Sequence, residues 1–330
     1  MNQASLPYRA AHIAVPIGDP NGIGPEISLK AAAAYAGRAD VALTLVGAWG
    51  VLERTAERLG LMQVLLDAAV LRTSELPDGC FQCGRVTAAA GVATIEAASQ
   101  AIRLAREGHF DAIVAGPHHE RAISEAGIVF SGYPSLVARV CGVAEDAVFL
   151  LLIGGGLRIV HVTLHESVAG ALARLTPDLV IGAVHAGRDA LRRLGIARPR
   201  IAVFGVNPHA GEGGLFGSED ESVTWPAVER LRASGYDVSG PAGADVLLAA
   251  REHDLYVAIF HDQGHIPIKL LSPHRASALS VGADVLLSSV GHGSAMDIAG
   301  RGVASPDAMI ETVALLANTA PGAASTRDPA

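Results

Sequence analysis

The chain is short of several things, and each shortage removes a class of function. Basic residues are outnumbered: 25 Lys and Arg stand against 33 Asp and Glu, for a net charge of −8. The pI is 5.9 and no basic block interrupts the sequence. Nucleic acid and anionic membrane surfaces are therefore poor partners. Only three cysteines occur, Cys80, Cys83 and Cys141. They make no disulfide framework, and the chain reads as one for a reducing compartment. Cys80 and Cys83 have zinc or redox spacing, but with no second pair they read as incidental thiols of a surface loop. The opening segment MNQASLPYRAAH has no apolar signal core, and no apolar run approaches a membrane span. A cytoplasmic protein is expected. Internal repeats are absent, and residues 318–330 read as a small, polar, flexible tail.

Half of the 330 residues are apolar, enough for a large core and two lobes. Strand and helix signals alternate. Strands are expected at His12–Ile17, Val41–Val46, Asp111–Ala115, Arg158–Leu164, Arg200–Val206 and Tyr256–Phe260. Helices are expected from Pro25 to Tyr35, Gly50 to Leu61, Thr94 to Arg106, Pro134 to Val140, Ser218 to Ser234 and Gly243 to Glu252. Another starts at the cap signal Thr176-Pro177-Asp178 and runs to Leu194. This rhythm predicts an α/β fold with a largely parallel sheet covered on both faces. The lobes have no legible boundary, and the chain is expected to cross between them more than once.

The chemistry sits where the apolar runs stop. Tyr256–Phe260 ends in His261-Asp262-Gln263-Gly264, Arg158–Leu164 in His165-Glu166, and Arg200–Val206 in Asn207-Pro208-His209. Ligands of open α/β sheets bind beyond the carboxyl ends of strands. Three imidazoles so placed can hold one divalent cation and leave positions open for a substrate. Asp262 reads as an orienting neighbour of His261 or a further ligand. The turn from Gly18 to Glu26 precedes a helix and offers backbone N–H groups to an anion. No G-x-G-x-x-G opens the first βα turn, and Gly211-x-Gly213-x-x-x-Gly217 is a weak match. The run from Gly291 to Pro306 is rich in small residues that let a backbone approach a flat ligand.

Four motifs carry a resemblance. HGSAMDIAGRGVASP resembles the adenosine-binding loop of the isopropylmalate and isocitrate dehydrogenases, and GDPNGIGPE their N-terminal signature. NPHAGEGG and HDQG, with His165 upstream, resemble the 4-hydroxythreonine-4-phosphate dehydrogenase family, which shares that fold. The resemblance covers residues 12 to 317. It implies a two-lobed fold with the active site in the interlobe cleft, and a homodimer whose sites draw on both chains. It also implies one divalent ion (Zn, Co, Ni or Fe) on His165, His209 and His261. NAD would lie extended along His292, Gly293, Ser294, Ala295 and Asp297.

The sequence also departs from that family. The phosphate-substrate enzymes carry Gly-His-Thr-Glu where this chain has Gly132-Tyr133-Pro134-Ser135. Counted without gaps from Lys269 to His292, their asparagine and arginine fall on Ala278 and Leu287. Charge-assisted donors for a phosphate are thus lost, and flat apolar surface suits a ring instead. SGYPSL, RIVHVTLHES, HDLYVA and HDQGHIPIKLL resemble a divergent branch, the terephthalate cis-dihydrodiol dehydrogenases. That branch implies NAD-linked oxidative decarboxylation of 1,2-dihydroxy-3,5-cyclohexadiene-1,4-dicarboxylate to protocatechuate. Lys269 is then the first choice for a carboxylate partner or acid/base, with Asp262 also catalytic. Tyr133 is expected to line the ring, and His118, His119 and Arg275 are candidates for the distal carboxylate. The competing readings are a dehydrogenase of a phosphorylated hydroxy acid and a non-catalytic NAD or metal sensor.

Overall fold

The computed structural model describes residues 10–273 and 276–317; Arg275 and the tail 318–330 lie outside them. Among the described residues, those from 10 to 130 form one compact unit with those from 287 to 317, and those between 131 and 286 form a second.

Unit 1 opens with β1 (Ala11–Pro16), α1 (Gly24–Tyr35), β2 (Val41–Gly47), α2 (Trp49–Leu59), α3 (Met62–Asp67), β3 (Ala69–Arg72), α4 (Ala88–Arg106), β4 (Ala112–Ala115) and α5 (Glu120–Glu125). Unit 2 follows with α6 (Tyr133–Cys141), β5 (Phe149–Gly154), β6 (Leu157–His161), α7 (Val168–Arg174), α8 (Pro177–Arg193), β7 (Ile201–Phe204), α9 (Trp225–Ala233), β8 (Val238–Ala242), α10 (Ala244–Ala250), β9 (Leu255–Ala258), α11 (His261–Leu271) and β10 (Ser277–Val281). The chain then returns to unit 1 for β11 (Leu287–Ser289) and α12 (Asp307–Ala317).

Unit 1 orders its strands β3-β2-β1-β4-β11, every pair parallel. Unit 2 orders them β10-β5-β6-β9-β7-β8. From β6 to β8 they are parallel, but β10–β5 and β5–β6 are antiparallel. The βαβ rhythm gave no hint of that departure. Its cause is local: Gly155 (φ 57°) and Gly156 (φ 75°) both take the left-handed conformation of a two-residue hairpin, which closes β5 onto β6.

The expected caps are present. Thr176 Oγ1 accepts from Leu179 N (3.2 Å) at the start of α8, with Pro177 in the first turn. The expected helix from Ser218 instead begins as a π-helical turn, Asp220–Thr224, before α9. Unit 2's sheet is covered on one face by Ile268 of α11 and Leu247 of α10, packed against Leu152, Ile159, Phe204 and Tyr256. α8 packs on the same sheet through buried Val180, Val184 and Leu191. Each such large side chain contributes at most about 1.5–3 kcal/mol of transfer free energy. The sheet thus forms a stiff base for the loops beyond β6, β7 and β9.

Candidate active site

The three strand-end histidines all lie in unit 2. His261 is the first residue of α11, a helix the sequence reading missed because it took HDQG as a strand end. Gln263 fastens that start: its Oε1 accepts from Ile259 N (2.9 Å) and Phe260 N (3.1 Å), and its Nε2 donates to Gly205 O (2.9 Å) beyond β7. His261, His265 and Lys269 recur at four-residue spacing and share one stripe of the helix. Lys269 is exposed. Asp262 Oδ1 lies 2.7 Å from His261 Nδ1. A carboxylate only accepts, so Nδ1 carries a proton, and in the neutral ring Nε2 keeps its lone pair. The His165 ring stands 5.6 Å from that of His261.

His209 is presented differently. It follows β7 in a loop whose backbone is held left-handed at His209 (φ 54°), Ala210 (φ 52°) and Glu212 (φ 45°). Non-glycine residues avoid that region at a cost of roughly 1–3 kcal/mol each. Buried Asp220 offsets the strain. Its carboxylate accepts from Val206 N (2.8 Å), Asn207 N (2.9 Å) and Thr224 Oγ1 (2.6 Å). Among the described residues, no group of three or more His, Cys, Asp and Glu side chains could hold a metal ion. Within one chain, His165 and His261 come together and His209 does not join them.

Two histidines that the sequence reading left unassigned belong to this cluster. His161 is buried on β6, and its Nε2 lies 3.1 Å from His265 Nδ1. The His265 ring stacks on that of His261 at 3.6 Å and 11°. Burial, then the neighbouring His265, pushes the His161 pKa down to about 3. Burial, then His261, pushes that of His265 down to about 4. A histidine inside the apolar run RIVHVTL, and another four residues after His261, were the available signals.

Unit 1 holds the expected cofactor loop. Ile23 N donates to Ser294 O (2.9 Å). A Cβ on Gly22 would stand 2.7 Å from that oxygen, so the glycine turn and the loop meet backbone to backbone. Ala295 is left-handed (φ 41°), and space is open around Gly293. His292 Nδ1 lies 3.0 Å from Gly293 O, and Asp297 is exposed. Asn21 ties down the cysteine loop: its Oδ1 accepts from Gln82 N (2.7 Å) and its Nδ2 donates to Cys80 O (3.2 Å) and Arg85 O (3.0 Å). Cys80 and Cys83 are free thiols. Asp19 Oδ2 is buried without a hydrogen-bond partner, and burial raises the carboxyl pKa to about 6.

The remaining candidates belong to both units. His118 is half-buried and packs edge-on against Phe130 (4.9 Å), and burial lowers its pKa. His119 Nδ1 is buried without a partner. Tyr133, at the start of α6, is 4% exposed, and burial raises its hydroxyl pKa. Leu287 corrects the reading of the sequence. It is 0% exposed and sits on β11 opposite Ile113, so it is core of unit 1 and presents no apolar surface to a substrate. Ala278 likewise lies on β10 against unit 2's core. An ungapped count placed both positions, and residues 282–286, which connect β10 to β11, bend without regard to that count.

Residues 30–316 match the family model described as PdxA, pyridoxal phosphate biosynthetic protein. The chain belongs to the PdxA family. It is 55% identical to a Comamonas sp. protein named 1,2-dihydroxy-3,5-cyclohexadiene-1,4-dicarboxylate dehydrogenase, over 92% of this chain and 96% of that one. The crystal structure of a terephthalate 1,2-cis-dihydrodiol dehydrogenase from Burkholderia xenovorans is 48% identical, with a TM-score of 0.75 over 94% of this chain and 98% of that one. A D-threonate 4-phosphate dehydrogenase of Cupriavidus necator is 37% identical, over 91% of this chain and 95% of that one. A beta-decarboxylating dehydrogenase from Thermococcus kodakarensis shares the fold of this PdxA-family chain at 18% identity and a TM-score of 0.51, over 93% of this chain and 82% of that one. The largely parallel α/β fold expected from the sequence therefore holds, and the relatives make the chain an oxidoreductase. No helix among the described residues is long and apolar enough to cross a membrane.

Proposed function

We propose that this PdxA-family chain is an NAD-linked, metal-dependent dehydrogenase that converts 1,2-dihydroxy-3,5-cyclohexadiene-1,4-dicarboxylate to protocatechuate and CO2. The observation that carries this reading is the 55% identity with the Comamonas enzyme across 92% of the chain. The more distant phosphate-substrate relative weighs less.

The residues fit a divalent ion. His261 has its Nδ1 engaged by Asp262 and its Nε2 lone pair open, the tautomer a metal requires, and His165 stands beside it. His209 is the third donor of the proposed set. Large apolar side chains are exposed on the same segments: Val168 and Leu172 after His165, Leu215 and Phe216 after His209, Ile266 and Leu270 after His261. A second copy of the chain covering them is the proposed arrangement, with each site drawing His209 from one chain and the His165–His261 pair from the other. The residues also fit NAD, since the open backbone at Gly293 and the left-handed Ala295 leave room for a flat adenosine.

A divalent ion held by these histidines would supply Lewis-acid stabilisation of the developing oxyanion, and NAD held along the Gly293–Ala295 loop would supply the hydride acceptor for the secondary carbinol. The ketone so formed lies β to the neighbouring carboxylate, which leaves as CO2. The enol left behind is the aromatic catechol, so aromatisation drives the step. The roles proposed for the chain are binding and orientation. Lys269, exposed on the same stripe as His261, pairs with a substrate carboxylate or carries a proton. Asp262 holds the His261 ring, and Tyr133 and His118 remain candidates toward the ring and its distal carboxylate.

The purified protein should form NADH and protocatechuate from the diol and show negligible activity on D-threonate 4-phosphate. Comparable kcat/KM on the two substrates would overturn the reading. Mixing inactive His209→Ala with inactive His261→Ala should restore activity as subunits exchange, because some sites regain every donor. No recovery despite demonstrated exchange would place all donors in one chain.

A further inference from the structure

His161 and His265 have no part in the role just proposed for His261, yet they form its support. His161 is 0% exposed. Its Nδ1 lies 3.2 Å from Leu150 O, and its Nε2 3.1 Å from His265 Nδ1. His265 Nδ1 also lies 3.2 Å from the carbonyl oxygen of His261. Both carbonyls can only accept, and this fixes the protons. His161 Nδ1 donates to Leu150 O. His265 Nδ1 donates to the His261 carbonyl and to His161 Nε2. If His265 turned away, a buried acceptor on His161 would be left unpaired, which is costly. The His265 ring therefore stays flat against His261, at 3.6 Å and 11°, while Asp262 holds the Nδ1 edge of the His261 ring. The backbone makes room for this arrangement. A Cβ on Gly264 would stand 2.2 Å from His161 Nε2, so only glycine lets the first turn of α11 lie against that imidazole.

We propose that His161 and His265 are positioning residues that fix the ring plane of His261 and aim its Nε2. The alternative, that they merely fill space, leaves unexplained why a fully buried position on β6 holds an imidazole hydrogen-bonded at both nitrogens. The inference rests on the reading of His261 as a metal ligand. Groups that orient a ligating histidine alter metal affinity by about 10–100-fold when removed.

The test is zinc and cobalt(II) titration of the full-length protein as wild type, His265→Leu, His265→Phe, His161→Leu and His261→Ala. Nitrogen-15 NMR of the histidine rings in the metal-free wild type at pH 8 accompanies it. His265→Leu, which keeps the bulk and removes the stack and the donor, should weaken metal binding about 10–100-fold. His265→Phe should recover part of that loss, because a flat ring returns. His161→Leu should also weaken binding, because it removes the acceptor that holds His265. The spectra should show His161 and His265 both protonated on Nδ1. An Nε2–H tautomer at either residue would overturn the inference even if a variant fails to fold. Wild-type affinity in His265→Leu, beside a large loss in His261→Ala, would overturn the positioning role and leave the metal reading standing. Unchanged affinity in His261→Ala would overturn both.

Discussion

The two units meet the same problem, holding a glycine-rich loop beyond a strand, and both solve it with a buried carboxylate. In unit 1, Glu26 accepts from Gly302 N (3.2 Å) and Ala304 N (2.8 Å) and pairs with Lys30 (2.8 Å). In unit 2, Asp220 accepts from two backbone N–H groups and the Thr224 hydroxyl. They differ in what else they bury. Unit 1 hides Asp19 with one oxygen unpartnered, whereas unit 2 hides His161 with both ring nitrogens engaged. A carboxylate with several donors is a structural fastener. A buried titratable group with a missing partner, or with a neutral partner, instead makes its unit sensitive to pH.

The largest expected effects break the shared part of this comparison. Asp220→Ala and Glu26→Ala each leave buried backbone donors unpaired, and each should cost about 3–5 kcal/mol in urea unfolding of the whole chain. Asp220→Ala should in addition weaken metal binding, because it releases the strained loop that presents His209. A loss under about 1 kcal/mol at either position would show that its loop is held by something else.

A smaller effect, and a sharper one, comes from pH. The folded Asp19 carboxyl titrates near 6, above its ordinary 3.8. The folded state therefore holds that proton more tightly than the unfolded state, and stability is lost as pH rises through about 6. Asp19→Asn should remove this slope, gaining roughly 2–3 kcal/mol on wild type between pH 4 and pH 8. His161 has the opposite sign. Its folded pKa, near 3, lies below the ordinary 6.5, so the unfolded state takes up the proton first and stability is lost as pH falls below about 6.5. In metal-free protein, wild type should lose roughly 2 kcal/mol relative to His161→Leu between pH 7.5 and pH 5. Slopes of the same sign in the two variants would end the contrast between the units.

Much of this arrangement could be read from the chain. Apolar runs of strand length marked β1, β2, β4, β6, β7 and β9, and Thr176-Pro177 marked the start of α8, because those signals are local. The placement of His165, His209 and His261 beyond β6, β7 and β9 also followed from sequence. What escaped was non-local or contrary to pattern. α11 carries Pro267 inside it and opens on polar residues, so its helical period was masked. The antiparallel turn of β5 onto β6 depended on two glycines within a run that otherwise read as βαβ. Leu287 was assigned to a substrate pocket by counting, and its burial on β11 shows that a count carries no information through a bend.

By itself, the sequence determined the class of fold, the family, and which histidines stand at strand ends. These follow from hydrophobic periodicity and from motifs only a few residues long. Tertiary structure alone decided which of those histidines meet. His161 and His265 are 104 residues apart in the chain and reach hydrogen-bond distance only because α11 packs back over β6, with Gly264 leaving room for the imidazole. His209 is set apart by the left-handed loop on Asp220. The physical reason is that side-chain period fixes the face on which a residue lies, while distance between faces depends on how closely two backbones can approach.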